Sequence, residues 1–179
     1  MEPIELEIRQ WLAQVVVGLN LCPFAARPAA EGRVRVHISA AADEAALLTD
    51  LQFELQRLDE VDSATLETTL IAVPNMLADF ADYNDFLDLV DELLDRNEWS
   101  GDYQVASFHP HYQFAGTAPQ DAENLSNRSP YPLLHLLRES SVEAAIEAHP
   151  DTARIPDDNI RRLRELNAQQ RRQLFSYLK

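Results

Sequence analysis

Three short segments with strand-like patterns restrict most strongly what this chain can fold into. They are Arg33–Ser39, Thr68–Val73 and Tyr103–Phe108. Amphipathic helical patterns separate them, one beginning after Asp43 and the other after Asp79 or Asp82. The order strand, helix, strand, helix, strand is typical of α/β domains, in which right-handed crossovers join parallel strands. We therefore predict an α/β fold in which a small, mainly parallel sheet carries packed helices.

Further helical patterns lie on both sides of this region. An amphipathic pattern predicts a helix over residues 3–19, and two others predict helices over residues 156–167 and 169–178. The chain is thus expected to have a helical C-terminus, with residues 168–179 as its terminal helix. Since no repeat or long linker interrupts the sequence, residues 1–179 are predicted to form a single domain.

The segment after the third strand also contains helix signals. Ser129 and Pro130 have the residue types of a helix N-cap and first position, and the leucines that follow predict a buried helix over Leu133–Arg138. A capping-box pattern at Ser140–Glu143 then predicts the start of the next helix, which is expected to stop at His149 and Pro150.

The charge balance argues against two classes of partner. The 179-residue chain has a net charge of −15, whereas nucleic acids and anionic membranes both require a basic surface. No apolar run approaches the roughly 20 residues that cross a bilayer. We therefore expect a soluble, acidic protein that binds neither nucleic acid nor membrane.

The N-terminus and the cysteine content indicate where the protein resides. The first residues are acidic and lack the basic segment of a signal peptide. Cys22 is the only cysteine, so an internal disulfide is excluded. Together these features predict a cytoplasmic location.

Missing residue types exclude several kinds of site. The only lysine is Lys179, so a buried Schiff-base lysine is not available. Glycine occurs only at positions 18, 32, 101 and 116. Neither a Rossmann dinucleotide fingerprint nor a P-loop can be written with those spacings.

The segment between Phe108 and Arg138 has the richest set of candidate functional side chains. It holds three of the five histidines, together with several amides, an arginine and hydroxyl groups. It begins at the carboxyl end of a predicted strand, which is where open α/β sheets bind their ligands. We therefore expect the functional site to form here, near Pro74 and Asn75 at the end of the preceding strand.

Three blocks of the sequence resemble a known bacterial family. They read GLNLCPFA over residues 18–25, DFADYNDFLD over residues 79–88, and QVASFHPHYQFAGT with NRSPYPLLHLLRE within residues 104–139. They identify the chain, over about residues 4–167, as a member of domain-of-unknown-function family 1415. The resemblance implies a single-domain, soluble protein and brings no activity, cofactor or catalytic residue with it. The family's signature blocks include Cys22, His109, Asn127, Arg128 and His135.

Cys22 and His109 are the candidate catalytic residues. Histidine is the side chain that titrates near neutral pH, so His109 suits a general acid or base. Cys22 follows a predicted helix C-terminus, which does not lower a thiol pKa, and a buried structural cysteine is the competing interpretation. A role as nucleophile or redox thiol requires the fold to bring His109 or Arg128 to the sulfur.

Arg128 is the candidate anchor for an anion, because a guanidinium binds carboxylate or phosphate through a two-pronged fork. An internal salt bridge would use the same geometry and is the alternative. Other polar residues of the segment are predicted to bind the substrate with it: Asn127, Ser129, Gln113, His135 and Asn124.

His109 and His111 suggest a second type of site. Residues two apart in an extended segment project to the same side, where two imidazoles can chelate a metal, with Cys22 or His135 as a further ligand. The competing interpretation is that His109 bonds backbone groups at the strand end and His111 is exposed. A divalent metal is thus a possible cofactor.

The leading hypothesis is a small-molecule enzyme that acts on an anionic substrate through Cys22, His109 and Arg128. Two alternatives remain open at this point. One is a transition-metal-binding protein that uses His109 and His111, and the other is a non-catalytic module that binds a ligand or a peptide.

Overall fold

A four-stranded mixed sheet forms the centre of the computed structural model, which describes residues 2–149 and 151–178. Its strands are β1 (Val34–Ile38), β2 (Thr68–Ala72), β3 (Tyr103–Phe108) and β4 (Leu133–Arg138), in the spatial order β1-β2-β4-β3. β1 and β2 pair in parallel, whereas β4 is antiparallel to both β2 and β3. The α/β class is therefore confirmed, but the expectation of a mainly parallel sheet is wrong.

The helix predicted over Leu133–Arg138 is wrong, because this segment is β4. Leu134 and Leu136 face one side of the sheet and Leu133 faces the other, so both sides of the strand are apolar. A short, continuously apolar run does not distinguish a buried strand from a buried helix, and only the two neighbouring strands decide between them. Ser129 caps no helix; its hydroxyl donates to the Tyr131 carbonyl at 2.6 Å.

The α-helices that surround the sheet have the following bounds. They are α1 (Pro3–Trp11), α2 (Ala26–Ala30), α3 (Glu44–Glu60), α4 (Phe80–Arg96), α5 (Glu139–Ala148), α6 (Ile155–Glu165) and α7 (Ala168–Leu174). None of them is both long and apolar enough to cross a membrane.

The helices α3 and α4 cover one side of the sheet, called here the α3–α4 face. Asp43 caps α3 by accepting from the Ala46 amide, and Asp79 caps α4 by accepting from the Ala81 amide. Both predicted helix starts are therefore confirmed, with Asp79 and not Asp82 as the cap. The core on this face joins helix and strand side chains, including Leu51, Leu55, Phe86, Val90, Ile71 and Leu134.

The opposite side, called here the α1 face, is covered by both ends of the chain. The predicted helix over residues 3–19 is α1, continued by a π-helical stretch over Leu12–Val17. Its apolar side chains share a core with α6 and with the segment after α7: Ile8, Trp11, Val15, Leu70, Leu133, Leu163 and Phe175. Residues far apart in sequence therefore lie together on this face.

The remaining helix ends differ in detail from the expectations. α5 begins at Glu139, so Ser140 lies inside the helix and the predicted capping box does not form. α5 ends at Ala148, and Pro150, which was expected to stop it, lies outside the described residues. The predicted terminal helix 169–178 is shorter, since α7 ends at Leu174 and is followed by a turn.

The sheet still brings three strand ends to one edge. β1, β2 and β3 all run in the same direction, because β4 is the one strand that opposes them. The buried Tyr83 hydroxyl closes this edge by donating to the Leu133 carbonyl at 2.6 Å and accepting from the Phe108 amide at 3.2 Å. Tyr83 thereby fixes the start of β4 and the end of β3, which carries the segment that follows.

Replacing Tyr83 with phenylalanine tests this clamp. Tyr83→Phe keeps the ring but removes the hydroxyl that bonds a buried carbonyl and a half-buried amide. We expect the free energy of unfolding to fall by about 1–3 kcal/mol. Urea denaturation measures the change, with Tyr131→Phe as a control that removes a hydroxyl bonded to the exposed Glu7. Equal losses in both variants would contradict a special role for Tyr83.

Candidate functional site

His109 is fully buried at the carboxyl end of β3, and both of its ring nitrogens have backbone partners. Nε2 lies 3.0 Å from the Leu77 carbonyl oxygen, and Nδ1 lies 3.0 Å from the His111 amide nitrogen. Since a carbonyl only accepts, Nε2 carries the proton and Nδ1 accepts. Burial lowers the pKa of His109, which favours this neutral form. The ring therefore acts here as a link between backbone segments.

The link from His109 holds an unusual backbone conformation. Leu77 has a φ of 56°, in the left-handed region that a bulky residue without special support rarely adopts. It lies in the loop between β2 and α4, two residues before the α4 cap Asp79. The His109–Leu77 hydrogen bond thus ties the end of β3 to the start of α4.

Cys22 lies in a different environment from His109. The thiol is half-buried on the α1 face, where it packs against the core formed by α1 and α6. Burial raises the pKa of Cys22 despite hydrogen bonds from the Phe24 and Ala25 backbone. His109, by contrast, packs against the rings of Phe80 and Tyr83. No hydrogen bond joins Cys22 to His109 over the described chain, and neither residue lines either of the two cavities described below.

Four of the predicted substrate-binding side chains make internal hydrogen bonds. Asn124 is buried and organises the loop, accepting from the Phe114 amide and donating to the Ala118 carbonyl. The others bond nearby groups: Asn127 to the Ser107 carbonyl, Gln113 to the Thr117 carbonyl and Ser129 to the Tyr131 carbonyl. These residues shape the connection between β3 and β4.

His135 is a strand residue, not the helix residue that was predicted. It lies on β4 opposite Ala106 and Leu70, with its ring 6.0 Å from that of Phe108. Burial lowers the pKa of His135 to about 4. The side chain is therefore neutral at pH 7 and packs within the α1 face.

The Arg128 guanidinium donates to main-chain carbonyls and forms no salt bridge with the described residues. Its Nε donates to the Tyr112 carbonyl at 3.1 Å and its Nη2 donates to the Pro119 carbonyl at 2.7 Å. Its Nη1 has no hydrogen-bond partner, and no carboxylate of residues 2–149 or 151–178 lies within 4.0 Å of the guanidinium. Burial lowers the pKa of Arg128. The internal salt bridge is thus not formed among these residues, and the charge is only partly compensated by carbonyl dipoles.

Arg128 lines a cleft of about 630 Å³ between the two ends of the chain and the segment after β3. One wall is a face of α1 and another is the segment that follows α7. The lining residues are Glu7, Gln10, Trp11, Gln14, Pro110, His111, Arg128, Pro130, Tyr131, Leu174, Ser176, Tyr177 and Leu178. His111 and Arg128 are the predicted site residues that line this cleft.

The main-chain carbonyl of Arg128 joins the walls of this cleft. It accepts from Trp11 Nε1 at 3.1 Å and from the Tyr177 hydroxyl at 3.1 Å. The Trp11 ring also packs edge-on against Phe108, with centroids 5.3 Å apart. α1 and the C-terminal segment therefore meet at a single peptide group, and the Trp11 ring joins them to the end of β3.

The cleft residues on α1 and after α7 were not predicted from the sequence. The exposed side of the N-terminal helix carries Glu7, Gln10 and Gln14 at spacings of three and four residues. The prediction of this helix used only the apolar residues of its other side. The two glutamines on the same side as Glu7 were the sequence signal that could have indicated a cleft wall. Tyr177 carried no signal, because its partner is a backbone group 49 residues away in sequence.

The histidine pair is not arranged for chelation by both rings. The His109 and His111 ring centroids are 5.8 Å apart, but both nitrogens of His109 are engaged with backbone groups. Within the described part of the chain, no three histidine, cysteine, aspartate or glutamate side chains are grouped to hold a metal ion.

Comparison with known proteins places the chain in a family. The family described as "Protein of unknown function (DUF1415)" matches residues 3–173. The chain belongs to this family. The comparison of the chain with curated proteins and with solved structures found no match. The matched range ends before the wall formed by Leu174 to Leu178, whereas it includes Arg128 and His111.

Truncating His109 should affect stability far more than truncating His111. His109→Ala leaves a cavity and removes the partners of the Leu77 carbonyl and the His111 amide, so we expect a loss of about 2–4 kcal/mol. His111→Ala removes an exposed ring and should change stability by less than about 0.5 kcal/mol. Urea denaturation measures both. A stable His109→Ala protein would argue against the structural role.

The half-buried His135 should make stability depend on pH. Its pKa is about 4 in the folded protein and roughly 6.5 in an unfolded chain, so unfolding takes up a proton between these values. The stabilising contribution is complete above pH 6.5 and is lost as pH falls towards 4. Between pH 7 and 4.5, His135→Leu should reduce the acid-induced loss of unfolding free energy by about 2 kcal/mol. Leu137→Ala, on the same side of β4, is the control and should leave the pH dependence unchanged.

Proposed function

We propose that this protein binds a small anionic molecule in the cleft beside Arg128 and acts on it by proton transfer. The observation that carries the proposal is the Arg128 guanidinium, which lines the cleft with an unpaired Nη1 and no carboxylate partner among the described residues. A partly desolvated cation is costly unless a counter-charge accompanies it. An anionic ligand supplies that counter-charge.

The size and the setting of the cleft support a small molecule. A volume of about 630 Å³ falls in the range of roughly 300–1,000 Å³ that is typical of small-molecule sites. Trp11 offers an apolar wall, and the cleft also has amide and hydroxyl groups that can orient a ligand. The chain has a net charge of −15, so the local positive charge of Arg128 favours the orientation in which the anionic group of a ligand faces the guanidinium.

His111 is the residue that we propose for proton transfer. It is exposed, it lines the cleft with Arg128, and its side chain makes no hydrogen bond to any residue that the structure describes. Histidine is the side-chain type that exchanges protons most readily near neutral pH. His109, the candidate from the sequence, is buried with both nitrogens engaged, and Cys22 does not line the cleft. The proposal therefore keeps Arg128 and transfers the acid–base role to His111.

Thermal stabilisation by simple anions tests the binding step without knowledge of the reaction. A ligand that binds only the folded state raises the melting temperature, and a concentration of 100 Kd stabilises by about 2.7 kcal/mol. We expect at least one of phosphate, sulfate, butyrate and citrate to stabilise the native protein. The same anion should bind Arg128→Met with an apparent Kd at least tenfold higher. The shift of each protein is measured from its own ligand-free melting temperature.

Two further variants make this result specific. Arg96→Met removes an equal charge from an exposed position on α4, at the other side of the sheet, and should bind the anion normally. Arg128→Lys keeps the charge but loses the fork geometry, so it should recover only part of the affinity. The proposal fails if no anion stabilises the native protein, or if Arg128→Met and Arg96→Met weaken binding equally.

A further inference from the structure

A second charged side chain of the cleft, exposed to solvent and of opposite sign to Arg128, also has no ionic partner among the described residues. Glu7 lies on the α1 wall, and its Oε2 accepts a hydrogen bond of 2.8 Å from the Tyr131 hydroxyl. Its Oε1 has no hydrogen-bond partner, and no cationic group of the described residues lies within 4.0 Å of the carboxylate. Glu7 and Arg128 therefore line one cleft without neutralising each other.

The residues one turn after Glu7 on α1, Gln10 and Trp11, carry no charge that could pair with it. Glu5, two residues before Glu7, forms an ion pair of 2.8 Å with Arg9 one turn further on. Glu7 is directed instead to the opposite wall, where it bonds Tyr131. Burial and the bond to the Glu7 carboxylate raise the pKa of Tyr131 to about 12. The hydroxyl thus remains a donor that fixes the carboxylate at the cleft.

From these two charges we infer that the ligand carries an ammonium group as well as an anionic group. The inference rests on the proposed anion site at Arg128 and specifies its ligand class as an amino acid or a similar small amine-bearing acid. The carboxylate or phosphate binds the guanidinium, and the ammonium donates to Glu7 Oε1. The ligand thereby completes a charge pair at each end of the cleft.

The α1 wall between these ends suits the body of such a ligand. Trp11 is one turn after Glu7, which corresponds to about 6 Å along the helix axis, and its indole nitrogen bonds the Arg128 carbonyl. Gln10 and Gln14 line the same wall and offer uncharged donors and acceptors. The wall therefore changes from anionic at Glu7 to apolar and amide-bearing near Arg128.

A smaller cavity, of about 190 Å³, shows the contrast. It is lined by Arg154, Arg161 and Arg162, but these arginines already have partners. Arg154 and Arg161 pair with Asp151 and Asp158, and Arg162 donates to the Asn20 carbonyl. Two of the three arginines at that cavity are thus paired with aspartates, whereas neither Arg128 nor Glu7 has an ionic partner among the described residues.

A set of matched probes tests the ligand class. Glycine, β-alanine and γ-aminobutyrate carry both groups at increasing separation; butyrate carries only the acid and butylamine only the amine. Thermal shifts on the native protein should give at least one amino acid an apparent Kd at least tenfold lower than that of butyrate. Glu7→Gln should remove this advantage and leave the binding of butyrate unchanged. Glu143→Gln, at an exposed position of α5, is the control and should bind all probes normally.

The possible results separate this inference from the anion site. If butyrate or phosphate binds through Arg128 but no amino acid binds more tightly, the anion site stands and the amine-bearing class is overturned. If an amino acid binds more tightly but Glu7→Gln keeps the advantage, Glu7 is not the amine partner and the inference is also overturned. If neither simple anions nor amino acids bind, both proposals fail.

Discussion

The cleft depends on one peptide carbonyl, that of Arg128. It accepts hydrogen bonds from Trp11 on α1 and from Tyr177 near the other end of the chain, so two distant segments are fixed against the loop that precedes β4. The Arg128 side chain extends from the same residue and bonds the carbonyls of Tyr112 and Pro119, which hold the outer part of the loop. One residue therefore shapes the cleft through its backbone and supplies its positive charge through its side chain.

The elements whose hydrophobic period matches their structure could be predicted from the sequence. β1 alternates apolar and polar residues, and α3 and α4 each combine a periodic apolar face with an aspartate cap, so local physics alone determines them. β4 could not be predicted, because four leucines in six residues fit a buried helix as well as a central strand. Its identity depends on hydrogen bonds to β2 and β3, which are contacts between distant residues. The direction of β4 in turn decides that the sheet is mixed.

The segment predicted to hold the site contributes His111 and Arg128 to the cleft, but most of the other site residues predicted there bond backbone groups. The connection from β3 to β4 has little regular structure, so its backbone groups need partners from side chains. His109, Asn124 and Asn127 supply those partners, and this is the reason that the segment is rich in polar residues. Composition alone does not separate a polar side chain that satisfies the backbone from one that faces a ligand. That distinction requires the hydrogen-bond partners of each polar atom to be known. For the proposed site, the two atoms without such a partner are Arg128 Nη1 and Glu7 Oε1.

In the proposed site, the placement of these two atoms is a compromise between stability and binding. A guanidinium and a carboxylate that approached each other would form a stable ion pair, but they would leave no charge for a ligand to meet. Here Arg128 donates to two carbonyls, and Glu7 accepts from the Tyr131 hydroxyl. Each charged group therefore keeps one atom without a hydrogen-bond partner among the described residues. Neutral hydrogen-bond partners stabilise a charge without cancelling it. For the ligand proposed above, preorganisation of this type would reduce the entropy lost on binding, because the charged groups are already oriented.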